Sequence, residues 1–317
     1  MAERHHARAR SFYPRLTRSA YLRPMNSKTI FSTEPHKGWL PWGILAPFLF
    51  LAFVIASVLI PSPWLKSLGL EDAKGGPIGL NGMYAYLVVA FALNGLMVLI
   101  WIWLVERRPL STVGLTGPAP LATLFRGLLI GCVTISAVVA SIGFAGGYQL
   151  AGFGPALSSP TALGSMALLL LCFAVQAGVE EFIFRGWLLS VVTRKWGQLA
   201  AVVVTTLVFT FLHWSPGQAW QDMLSTALFS VFACLWAIRA GNIWGVMGWH
   251  IGWNWLLSIG FELPVTGFVI DLPALLVQLI PQGPDLLTGG AVGPEGSLIC
   301  SALLLIGILF LLRPRKA

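Results

Sequence analysis

Apolar residues occur along this chain in long blocks, separated by short polar stretches or by proline and glycine. The blocks cover residues 40–60, 82–105, 127–147, 163–192, 199–213, 222–239, 243–260 and 297–312. Most are too long for strands, and the longest exceed the ~20 residues with which a helix crosses a bilayer core of ~30 Å. The pattern predicts an all-α, polytopic membrane protein with about eight transmembrane helices. Breaks fall where turn chemistry is strongest, at Gly75-Gly76-Pro77, Glu106-Arg107-Arg108-Pro109, Ser215-Pro216-Gly217 and Gly241-Asn242. Residues 261–297 read as a loop with a re-entrant or interfacial piece at 274–280. Small residues in the third block, Gly127 and Gly131 among them, allow close helix approach in lipid.

Composition agrees with a membrane protein. Hydrophobic residues make up 56% of the 317 and charged residues 10%, with mean hydropathy +0.79. A soluble domain carries about 25% charged residues. The fourteen Trp suit the lipid–water boundary. Net charge is +8, but residues 1–37 hold eight Arg or Lys against Glu3 and Glu34, so most of the excess sits in one tail. The other basic residues collect at block ends near 107, 126, 194 and 239 and at the C-terminus. That is the distribution of the positive-inside rule, and it implies no nucleic-acid partner. Both termini are then cytoplasmic in a multi-pass protein of the cell inner membrane. Residues 1–38 read as a basic, unstructured cytoplasmic tail, 39–110 as two N-terminal transmembrane helices, and 111–317 as the functional core. Cys132, Cys172, Cys234 and Cys300 are isolated in apolar blocks, as small buried hydrophobes are.

Of twelve acidic residues, only Glu180 and Glu181 fall well inside an apolar block; His213 and His250 are the only histidines outside the tail. Ionisable residues at such positions are costly and mark function. The turn Arg194-Lys195-Trp196-Gly197-Gln198 lies midway between Glu180 and His213. In an antiparallel helix pair both would stand ~24 Å from that turn, which pairs Glu180 with His213. Glu181 and Arg185 are four apart in the favourable order for a helical ion pair. Phe209 and His213 share the same spacing, so the ring shields the imidazole. His250 and Asn254 also share a helix face and offer donors suited to an oxyanion. His250 lies only ~16 Å from the turn near 241, so tilt or a buried turn must close that gap.

Glu180-Glu181-x-x-x-Arg185, Phe209-x-x-x-His213 and His250-x-x-x-Asn254 together resemble the CPBP family of intramembrane proteases. That family includes the CAAX prenyl endopeptidases and relatives linked to bacteriocin self-immunity. Gly289-Gly290-Ala-Val-Gly-Pro-Glu295-Gly is similar to a C-terminal stretch of bacterial members, and the likeness spans roughly 110–310. It implies hydrolysis of a peptide bond in a membrane-associated or prenylated-type substrate, near the cytoplasmic face. Glu180 with His213 would activate water, His250 and Asn254 would hold the oxyanion, and Glu181 and Arg185 would brace the helix. The preferred expectation is a metal-free reaction, since no H-E-x-x-H is present. The alternative is zinc on Glu180, His213 and His250 with an open water position. Two other classes stay open: a proton-coupled transporter, which would string its titratable groups along a path, and a non-catalytic immunity protein whose polar cluster only locks helices together.

Overall fold

The computed structural model describes residues 29–314. Its long helices are α1 (Leu45–Leu59), α2 (Gly79–Glu106), α3 (Pro120–Phe144), α4 (Pro160–Trp196), α5 (Gln198–Leu212), α6 (Trp220–Ala240), α7 (Trp244–Gly260) and α8 (Leu298–Leu312). Local chemistry sets several starts. Pro120 and Pro160 occupy first-turn positions, where a missing N–H costs nothing. Ser159 and Ser297 cap their helices by accepting from the N–H groups of Ala162 and Cys300.

Among the described residues, five helical stretches are long and apolar enough to cross a membrane: Leu45–Ser67, α2, α3, α4 and α6. The protein is a polytopic helical membrane protein, but the expected eight spans reduce by this measure to five. Helices α5 and α8 have 15 residues each and α7 has 17. Fifteen residues rise ~22 Å, short of a ~30 Å core. Helix α5 stops at Leu212, within one residue of the expected 199–213, just before the Ser215-Pro216-Gly217 break.

The helical expectation holds, with a small two-stranded sheet beside the helices. Strand β1 (Tyr148–Phe153) pairs antiparallel with β2 (Val277–Pro281), from Tyr148↔Pro281 to Phe153↔Val277. The apolar piece at 274–280 is therefore largely a strand. The seven residues between Pro273 and Pro281 leave little room for a helix but enough for a short ladder. Residues 29–38, expected to be unstructured, are docked: Ile30 and Phe31 are buried, and the N–H groups of Lys37 and Gly38 donate to the carbonyls of Arg107 and Glu106 at 3.2 and 3.0 Å. Arg194 holds the same segment from the other side, donating to the Ser32 and Glu34 carbonyls at 3.1 Å. The remainder of the expected tail, residues 1–28, lies outside the described residues.

Helix α7 is the axis of the core, buried along nearly all its length, with α3 on one side and α4 on another. The approach of α3 is set by glycine. A Cβ on Gly248 or Gly252 would collide with the Leu124 or Leu128 carbonyl oxygen, and one on Gly131 with that of Trp249. Backbone-to-backbone contact of this kind cannot yield as a side chain can. Gly248→Ala is expected to force the two helices apart and lower stability by at least the ~1–3 kcal/mol of an overpacked core. Gly164→Ala, on α4 with nothing within 4 Å, is the control and should be neutral or better. Thermal unfolding of the detergent-solubilised variants checks both.

Candidate active site

The site lies where α4 faces α7. Helix α4 is regular through Glu181, then loosens into a π-helical segment, Phe182–Leu188, every residue of which is buried. Such wide turns are rare and gather at functional sites. Glu181, at its edge, is fully buried, and its Oε1 accepts from Arg185 Nη1 at 3.0 Å. The sequence spacing of four residues thus delivers its ion pair even as the helix widens. Aromatic rings sheathe the guanidinium, with Arg185 Cζ 4.4 Å from the Phe209 centroid and 5.5 Å from that of Phe184. A buried cation is tolerated there because a carboxylate and π faces replace water.

The same Oε1 of Glu181 lies 2.8 Å from His250 Nδ1. Paired with Arg185, Glu181 is an acceptor, so Nδ1 carries the proton and Nε2 points the other way. Nε2 stands 3.8 Å from Glu180 Oε2. Arg185, Glu181, His250 and Glu180 therefore form one chain of charge and hydrogen bonding. Two carboxylates and one guanidinium thus lie within one buried cluster, bridged by the His250 ring.

Glu180, its side chain 13% exposed, is the end of that chain which reaches open space. It lines a cavity of about 580 Å³ together with Gln176, His213 and Asn254, under walls that include Phe50, Val54, Phe91 and Phe173. The cavity is large enough for an apolar segment of substrate. Asn254 is buried and donates from Nδ2 to Gln176 Oε1 at 3.1 Å, which orients its amide and leaves a second N–H. His213 caps α5, donates from Nδ1 to the Phe209 carbonyl at 2.8 Å, and stacks on the Phe209 ring at 4.2 Å. A smaller cavity of about 50 Å³ adjoins, lined by His213, His250 and Asn254 with Asp222 and Glu295, and is roomy enough for water.

All seven residues singled out in the sequence thus gather in one region, but one pairing differs. Among the described residues no hydrogen bond or ion pair joins Glu180 to His213; the imidazole nearest Glu180 is that of His250. Equal depth fixes height and not azimuth, and α4 turns its acidic face toward α7, while α5 packs on the last turns of α4 and on α6. The zinc set does not assemble either. Among the described residues no three His, Cys, Asp or Glu side chains come together as a metal-holding group.

Three polar features escaped the sequence reading. Gln176 could have been found, since it lies four residues before Glu180 and so on the same helix face. Glu106 looked like the polar end of a span, yet it is fully buried, accepting from Trp187 Nε1 at 2.7 Å and Trp101 Nε1 at 3.1 Å and pairing with Arg108. Glu295 accepts from Trp253 Nε1 at 2.8 Å and from the Thr266 N–H at 2.7 Å, tying the C-terminal loop to α7. Neither of the last two has a signal in spacing.

Residues 162–256 match the family model described as Type II CAAX prenyl endopeptidase Rce1-like. The matched stretch, under a third of the chain, opens in α4 and closes in α7, and so contains every residue of the cluster. No curated protein and no solved structure matches the chain.

Proposed function

We propose that this chain is a metal-free intramembrane endopeptidase of the CAAX type in which Glu180 activates water, a reading supported by the match of residues 162–256 to the Rce1-like family model. The observation that carries this reading is the Arg185–Glu181–His250–Glu180 chain ending at the wall of the apolar cavity. Substrate would enter that cavity as a membrane-associated or prenylated-type peptide, with its scissile carbonyl beside Glu180.

In this reading Glu180 is the base, and His250 carries a proton on each ring nitrogen. It takes a proton from water as the water oxygen bonds to the carbonyl carbon. The oxyanion that develops accepts from the free Asn254 N–H and from His250 Nε2–H. Glu180 then returns its proton to the leaving nitrogen as the C–N bond breaks, which restores the starting state. His213, held by the Phe209 carbonyl, faces the same cavity and contributes a ring nitrogen to orient the water. Glu181 and Arg185 touch no substrate; they fix the tautomer and position of His250, as the buried acid does in a catalytic triad.

Asn254→Ala is expected to lower kcat by ~10²–10³-fold, the usual effect of removing one oxyanion donor, with KM changed little. Initial rates on a fluorogenic peptide, prenylated and plain, with purified protein in liposomes test both this and the activity itself. Failure of the wild-type protein to cleave any membrane-anchored peptide would refute the proposal.

A further inference from the structure

The two ends of the helical bundle differ in charge, and the cavities open toward only one of them. One end is a single hydrogen-bonded layer. Residues 29–38 join 105–111 and 194 there, the Ile243 N–H donates to the Gly114 carbonyl at 3.1 Å, and Arg239 donates to the carbonyls of Leu311 and Arg313. Lys37, Arg107, Arg108, Arg126, Arg194, Lys195, Arg239 and Arg313 belong to this end, against Glu34 and Glu106. The other end comprises the short helix Ser62–Ser67, the β1–β2 pair and the loops 214–219 and 261–296. It carries Lys66 and Lys74 against Glu71, Asp72, Asp222, Glu262, Asp271, Asp285 and Glu295.

Neither cavity touches the basic layer. The large one is bounded by Ser215, Gln218, Thr266, Gly267 and Val292, all from the acidic end. Toward the basic end the site is floored by protein: Trp187, Val113 and Ile243 are fully buried, and a Cβ on Gly186 would press on the Val113 carbonyl oxygen at 2.7 Å. Below that floor sits the Glu106–Arg108 pair. At the acidic end, α5 ends at the level of the site, and the turn after His213 brings the loop surface down to it.

Arg and Lys excess marks the cytoplasmic side of a membrane protein. We infer that the catalytic cavity opens to the non-cytoplasmic face, so that the substrate is a membrane-anchored peptide whose scissile segment lies outside the cytoplasm. This rests on the endopeptidase reading for the chemistry and on the charge layers alone for the orientation. It departs from the cytoplasmic-face site implied by the family resemblance, because that expectation and the positive-inside expectation cannot both hold with this placement of the loops.

The test separates orientation from chemistry. In a full-length chain with its four cysteines replaced, Ser215→Cys and Asp271→Cys report one end and Lys195→Cys the other. In intact spheroplasts a membrane-impermeant maleimide should label the first two, and Lys195→Cys only after lysis; the reverse pattern overturns the inference. For the chemistry, a charged, impermeant lipid-anchored peptide is added to right-side-out and inside-out vesicles. Cleavage should be at least tenfold faster right-side-out and absent in Glu180→Gln. Faster cleavage by inside-out vesicles overturns the inference as well. The expected labelling with no cleavage in either vesicle type overturns the assigned substrate and the endopeptidase reading, while the orientation stands.

Discussion

Glu180→Gln is expected to lower kcat/KM by ~10²–10⁴-fold while the protein stays folded, the range lost when a positioned general base is removed. The substitution keeps the size of the side chain and its reach into the cavity, and removes only the ability to take a proton. Folding should be spared because, among the described residues, Glu180 makes no side-chain hydrogen bond that an amide would break, and His250 Nε2 stands 3.8 Å away. Removing the charge also leaves Arg185 and Glu181 as a balanced pair. Stability equal to wild type with the rate collapsed is therefore the expected result, read by thermal unfolding and peptide cleavage on one preparation. Loss of rate in proportion to lost folded protein would instead support a cluster that only locks helices together. A proton flux surviving the substitution would support a transporter.

How much of this was written in the sequence differs from one residue to the next. The separation of the two glutamates was legible, because 100° of helix and a four-residue step to Arg185 assign Glu181 its partner without any structure. The stacking of Phe209 on His213 and the shared face of His250 and Asn254 follow from the same rule. What spacing cannot carry is the choice between neighbouring helices. Depth favoured His213 and left His250 short of the Glu180 level, yet it is His250 that meets α4, on a helix that glycines 248 and 252 let α3 approach closely. The short length of α5 was legible too, because the Ser215-Pro216-Gly217 turn ends its apolar run at 213. Glu106 was misread because a carboxylate at a block end is usually solvated, and here two indoles and a guanidinium from three separate places take the role of water.

Glu181→Gln is the substitution expected to damage both fold and activity. It leaves the Arg185 guanidinium, wholly buried, without its counter-charge. Breaking one partner of such a pair costs ~3–5 kcal/mol, because the remaining charge stays out of water with nothing to offset it. It also weakens the acceptor that holds His250 Nδ1–H at 2.8 Å, so the imidazole is freer to turn away from Glu180. These two consequences can be separated. Glu181→Leu combined with Arg185→Met removes both charges and fills the space with apolar atoms, and replacing a whole buried pair in this way is often neutral or better. The double variant should thus regain most of the thermal stability lost in Glu181→Gln and still fail to cleave peptide, because His250 has lost the oxygen that fixes its tautomer. If the double variant regained activity along with stability, the Glu181–His250 bond would have no part in the chemistry, and Glu181 would serve only as the counter-ion of Arg185.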